Sequence, residues 1–238
     1  MKLPLNRATK RTTRGYTLLE LLISLTILTV ITGAVFKQIN LMQKKSSSEA
    51  SKLDLDQQAR EFMDQTVHDL HMSGYPGVNM YSTQQYPSMV AAGLVSISPA
   101  QILMEGDVNN DGTVYSVTTG YVANDPLDPN CPCIRRSAQK KIDMDSFSQG
   151  TNPQYTETQH VFPPGTGAGQ SGEDLFAYFD QNGNPVDLTT GADVSTPQGA
   201  ANLAKIKTVK INLSLSQRDA ESHGYGRTSM SATSRLNN

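Results

Sequence analysis

Tryptophan is absent from the 238 residues, aromatics make up only 6%, and histidine occurs four times. With 37% hydrophobic residues a core is available, but a small one. The many Ser, Thr, Asn, Gln, Gly and Pro predict long surface loops around it. Only two cysteines occur, Cys131 and Cys133, with a single proline between them. That spacing fits neither a zinc finger nor a disulfide framework joining distant segments. The length suits one domain of ordinary size plus a helical extension.

Acid is missing from the first fifteen residues, which carry Lys2, Arg7, Lys10, Arg11 and Arg14. Setting these five cations aside leaves 15 Lys and Arg against 22 Asp and Glu, a charge of about −7 on the remainder. So acidic a product is a poor general binder of nucleic acid, and none is predicted as a direct partner.

From Leu18 to Ile39 the chain reads LLELLISLTILTVITGAVFKQI, with Glu20 as its only acid and Lys37 as its first base. About 20 apolar-dominated positions in a helix span a hydrocarbon core of about 30 Å. Basic residues ahead of the segment keep the leader cytoplasmic and send the chain beyond Phe36 to the far side of the membrane. An ordinary secretory signal would end in small residues at an A-x-A-like site, whereas KQINLMQKKSSS comes after Phe36.

The stretch RGYTLLELLISL resembles the class III signal of type IV prepilins. In that family a peptidase cuts after the glycine, ahead of the apolar helix, and methylates the new N-terminus. The resemblance implies cleavage between Gly15 and Tyr16 and N-methylation of Tyr16, where the family usually has Phe. Glu20 then falls at the fifth mature position. A carboxylate inside an apolar helix costs roughly 2 to 4 kcal/mol on insertion scales and needs a partner. The resemblance implies that this partner is the Tyr16 amine of a neighbouring subunit, which cleavage creates. A plain single-pass anchor with an incidental Glu20 is the bland alternative.

Beyond the apolar segment, Leu55, Ala59, Phe62, Met63, Val67 and Leu70 recur at three- and four-residue spacings, as on an amphipathic helix. No proline interrupts residues 16–72, and Gly74-Tyr75-Pro76-Gly77 is a strong stop. One long helix is expected, with Gly33 as the place for a bend. Short strands are predicted at Gln101–Met104, Val114–Val122, Ile134–Ala138, Leu175–Phe179 and Ile206–Leu215. Residues 145–173 read as loop, and the polar stretch after Arg218 reads as a mobile tail. The fold class is α+β and pilin-like: a long N-terminal α-helix, half membrane and half amphipathic, on a C-terminal antiparallel β-sheet with long loops. The divisions are 1–15 basic leader, 16–40 membrane or filament-core helix, 41–74 amphipathic helix, 75–218 β-rich extracytoplasmic domain and 219–238 polar tail.

Asp107, Asn109, Asp111 and Gly112 form D-x-N-x-D-G, whose oxygens, with the Thr113 carbonyl, suit calcium. Thr118 replaces the glutamate expected at the twelfth position of an EF-hand loop, so an Asx-rich hairpin turn is the favoured reading and calcium the alternative. Cys131-Pro132-Cys133 suits a local disulfide, a metal fragment or buried thiols. Gly167, Gly169 and Gly172 satisfy GxGxxG without the strand-to-helix setting a phosphate loop needs. His68 and His71, one turn apart near Asp64, read as solvated helix residues. His160 and His223 complete no triad, so no enzyme is expected and no cofactor is required.

Segments such as DQQAREFMDQTVHDLHMSGYPG, ILMEGDVNNDGTVYSVTTGYV and KTVKINLSLS are similar to PilW-type minor pilins and to J-type minor pseudopilins. The resemblance implies a structural minor pilin that helps prime a type IV pilus-like filament, or alternatively a minor pseudopilin of a type II secretion system. A membrane-anchored binding or hydrolytic domain is a third reading. The implied partners are the prepilin peptidase and methyltransferase, other pilin or pseudopilin subunits and the inner membrane. The C-terminal domain would be extracytoplasmic, on a single membrane pass, before incorporation into a pilus or pseudopilus at the cell surface.

Overall fold

The computed structural model describes residues 15–126, 128–129, 131–142, 155–162, 173–186, 192–218 and 225–236. The leader up to Arg14 and the Gly167, Gly169 and Gly172 segment therefore lie outside the described residues. The chain divides into two compact units, Met1–Ser47 and Ser48–Asn238.

Helix α1 (Leu18–Met72) begins in the first unit and ends in the second. Its start is set by a Thr-x-x-Glu cap: the Thr17 hydroxyl accepts the Glu20 N–H at 3.3 Å, satisfying one of the unpaired donors of the first turn. Every residue from 15 to 47 is exposed. The hydroxyls in this apolar stretch turn inward on their own helix. Ser24 donates to the Glu20 carbonyl, Thr26 to Ile23, Thr29 to Thr26 and Thr32 to Leu28, each at 2.7–2.8 Å. No polar hydrogen on these side chains is left pointing outward, which is what an apolar surrounding requires. The helix runs unbroken through Gly33.

In the second unit, α1 buries Leu55, Ala59, Phe62, Met63, Thr66, Asp69 and Leu70, a stripe at three- and four-residue spacing. The helix stops after Met72, and Gly74 takes a positive φ of 81°. The following backbone locks to the sheet: Gly74 N–H donates to the Glu105 carbonyl and Asp107 N–H to the Tyr75 carbonyl, both at 2.9 Å. Approach is so close that a Cβ on Gly106 would lie 2.2 Å from the Met72 carbonyl oxygen, so only glycine fits there.

Strands β1 (Gly93–Ile97), β2 (Gln101–Gly106), β3 (Tyr115–Val122), β4 (Cys133–Lys140), β5 (Tyr155–Thr158) and β7 (Ala192–Asp193) form one antiparallel sheet in the order β5-β4-β3-β2-β1-β7. A second sheet, β6-β8-β9, holds β6 (Phe176–Phe179), β8 (Thr208–Arg218) and β9 (Tyr225–Arg235). The two sheets share one core with α1, and Phe176 N–H donates to the Pro99 carbonyl at 3.1 Å beside the β1–β2 turn. Helix α2 (Pro197–Lys205) is capped by the Thr196 hydroxyl, which accepts the Gly199 N–H at 3.0 Å.

Two expectations require correction. Residues 155–158, inside the stretch read as loop, are β5; the rest of 145–173 is described only at 159–162 and 173. The stretch read as a mobile tail contains β9, paired to β8 over all eleven of its residues; positions 219–224, 237 and 238 lie outside the described residues. Arg227, Ser229, Ser231, Thr233 and Arg235 of β9 are exposed, while Thr228, Met230, Ala232 and Ser234 turn inward. Period-two alternation is present, but small and hydroxyl-bearing residues on the inner face carry almost no hydrophobic signal. Strands β1 and β7 and helix α2 also form where no element was expected. The expected antiparallel β-structure is present and is divided between the two sheets.

Candidate functional site

The N-terminal segment carries the chemistry that the sequence singles out. A Cβ at Gly15 would meet nothing within 4 Å, and Tyr16 is 83% exposed, so the Gly15–Tyr16 bond is open to an approaching peptidase. Glu20 stands one turn on, in the first turn of α1, and its carboxylate has no partner among the described residues. Around it, Leu18, Leu19, Leu21, Leu22 and Ile23 are at least half exposed. A water-exposed surface this apolar is a binding or membrane surface. Among the described residues, α1 is the one helix long and apolar enough to cross a membrane.

The 107–113 loop closes on its own carboxylates. Asp107 is buried, and its Oδ1 accepts the Asp111 N–H at 3.0 Å while its Oδ2 accepts the Gly112 N–H at 2.9 Å. Asp111 accepts the Thr113 N–H at 2.8 Å and the Tyr115 hydroxyl at 2.9 Å, with the Tyr115 bond chiefly holding its carboxyl below the ordinary range. Asn110 adopts a φ of 53° and Gly112 one of 79°, the left-handed conformations of an Asx-rich turn. Asn109 is exposed. Cys131 and Cys133 are joined by a disulfide. His68 is held at the Val108 carbonyl, 3.0 Å from Nε2, tying α1 to the same loop.

Sequence patterning missed two buried ion pairs. Arg136 on β4 meets Asp69 on α1, and Lys141 just past β4 meets Glu105 on β2 at 2.6 Å. Lys141 also donates to the Val90 carbonyl at 2.9 Å, and Glu105 Oε2 accepts the Ala92 N–H at 2.8 Å. Burial works against the Arg136 charge, but the Asp69 bonds and charge outweigh it, so the guanidinium is held above its ordinary value. Nearby, burial raises the Glu157 carboxyl, with Arg136 pulling it down and Asp69 pushing it up. The one sequence signal was Asp69 itself, an acid next to Leu70 on the apolar stripe of α1.

Residues 10–36 match the prokaryotic N-terminal methylation motif, the segment that holds Gly15, Tyr16 and Glu20. No curated protein and no solved structure is significantly similar to the chain. The motif, followed by a long helix packed on antiparallel sheet, supports a type IV pilin-like or pseudopilin-like protein, anchored in a membrane and associated with the cell envelope. It implies processing by a prepilin peptidase and assembly with other pilin subunits.

Proposed function

We propose that this chain is a structural subunit of a type IV pilus-like filament, a minor pilin that helps prime assembly, with no catalytic role. The observation that carries the reading is the methylation motif at residues 10–36. Cleavage after Gly15 frees the Tyr16 amine, and Glu20 supplies the negative charge that such an amine pairs with once both are withdrawn from water. Before assembly, the apolar half of α1 holds the subunit in the inner membrane with its β-rich domain outside the cytoplasm. After assembly the same surface packs against other subunits, exchanging lipid for protein.

Glu20→Ala tests this directly. It removes the buried charge partner without shortening the apolar segment, so the variant is processed and membrane-inserted but depleted from sheared filaments. Wild-type incorporation contradicts the proposal. Recovery of the wild-type chain with a secretion apparatus, and not with pili, moves it to the pseudopilins, which share the motif and differ in partners.

A further inference from the structure

Far from the N-terminal segment in sequence, the turn between β3 and β4 gathers a set of metal-capable side chains. The ligand atoms of Asp128, Cys131 and Cys133 all lie within 4.8 Å of one another. Backbone geometry brings them together. Cys131 N–H donates to the Asp128 carbonyl at 3.2 Å, and Asp125 bridges Asp128, closing a tight turn. Cys133 opens β4 opposite Val122, and Val161 N–H donates to the Pro132 carbonyl at 2.9 Å, so strand pairing and a neighbouring segment both hold the Cys-Pro-Cys stretch. The Thr156 hydroxyl at 2.9 Å and the Gln159 amide at 3.4 Å both donate to Asp128 Oδ2, fixing the carboxylate beside the two sulfurs. Cys133 is buried and the other two are half-buried.

We propose that this turn is a redox-gated site for a thiophilic divalent cation of the zinc class, shut by the Cys131–Cys133 disulfide and opened by its reduction. The bridge joins residues two apart and closes no loop between distant segments, so the turn and the strand pairing, and not the bridge, keep the three groups together. A dithiol reductant exchanges with the bridge: one S–S bond breaks in the protein, one forms in the reductant, and the two cysteines receive two electrons and two protons. Cation binding then releases both thiol protons to solvent. Two thiolates and the Asp128 carboxylate take three tetrahedral corners, and water takes the fourth. Metal–sulfur bonds of about 2.3 Å place the sulfurs about 3.8 Å apart, so bridge and ion exclude one another. Thiolate ligands select this cation class over calcium or magnesium.

The test uses the full chain in detergent micelles under anaerobic conditions, either oxidised or reduced with a phosphine and desalted, and titrated with cobalt(II). The expected result is a thiolate-to-cobalt charge-transfer band from the reduced chain only, saturating at one ion per chain and lost on adding zinc. Cys131→Ser removes the band while the circular dichroism spectrum stays that of wild type. Asp128→Asn weakens binding by at least about tenfold, the loss that even outer-shell partners of a metal typically cause. A reduced wild-type chain without the band, an oxidised chain that shows it, or Asp128→Asn binding as tightly as wild type overturns the proposal.

Discussion

Asp69 on α1 and Arg136 on β4 form a buried two-pronged ion pair, Nε to Oδ2 at 2.7 Å and Nη2 to Oδ1 at 3.1 Å. Two further bonds support the pair: Arg136 Nη1 donates to the Tyr155 hydroxyl at 2.6 Å, and Gln65 Nε2 donates to Asp69 Oδ1 at 2.8 Å. Sixty-seven residues separate the partners, so the pair fixes how the helix lies on the sheet.

Arg136→Met strands a carboxylate in the core and is expected to cost about 3–5 kcal/mol, whereas adding Asp69→Leu to it recovers most of the loss. Denaturant unfolding of the full chain in micelles, followed by circular dichroism, reads both variants. A single variant as stable as wild type contradicts the assignment.

Glu157 gives a pH-dependent signature. Burial raises its folded-state value above that of the unfolded chain, so the folded chain keeps the proton longer. Stability is therefore lost as pH rises from the ordinary carboxyl range through the raised folded value, and the loss persists at neutral pH. Glu157→Gln removes the titration. Its melting temperature is expected to exceed that of wild type at neutral pH and to approach it in acid. A variant less stable at neutral pH contradicts this.

Asp107→Ala leaves the Asp111 and Gly112 amides without their acceptor and is expected to destabilise the chain by about 1–3 kcal/mol in the presence of chelator. Thermal melts with and without calcium then ask whether the loop has a second use. A calcium-dependent rise in melting temperature that Asp107→Ala and Asp111→Ala together abolish assigns ligands to Asp107 and Asp111. Coincident melts leave the turn as their whole role.

The N-terminal helix was legible because its signals are strong and local: an uninterrupted apolar run, a stripe at helical spacing from Leu55 to Leu70, and a glycine-proline stop. The central strands were legible by residues such as Ile102, Val117 and Ile134, and β8 by Val209, Ile211, Leu213 and Leu215, all of them buried. β9 was not, because Ala232 and Ser234 fill the inner positions of a strand whose stability comes from pairing with β8. α2 was not legible, because a nine-residue helix with Leu203 as its one buried hydrophobic side chain carries too few apolar residues to show a pattern. At the site, Gly15, Tyr16 and Glu20 share one contiguous stretch. The Asp69–Arg136 and Glu105–Lys141 pairs join residues that only the fold brings together.

N-terminal mass spectrometry of the protein purified from its native membrane tests the central claim most directly. The motif at residues 10–36 predicts a mature chain that begins at Tyr16 and carries one methyl group on its amine. A chain that retains Met1 and its basic leader, or one cut between residues 36 and 50, contradicts the account.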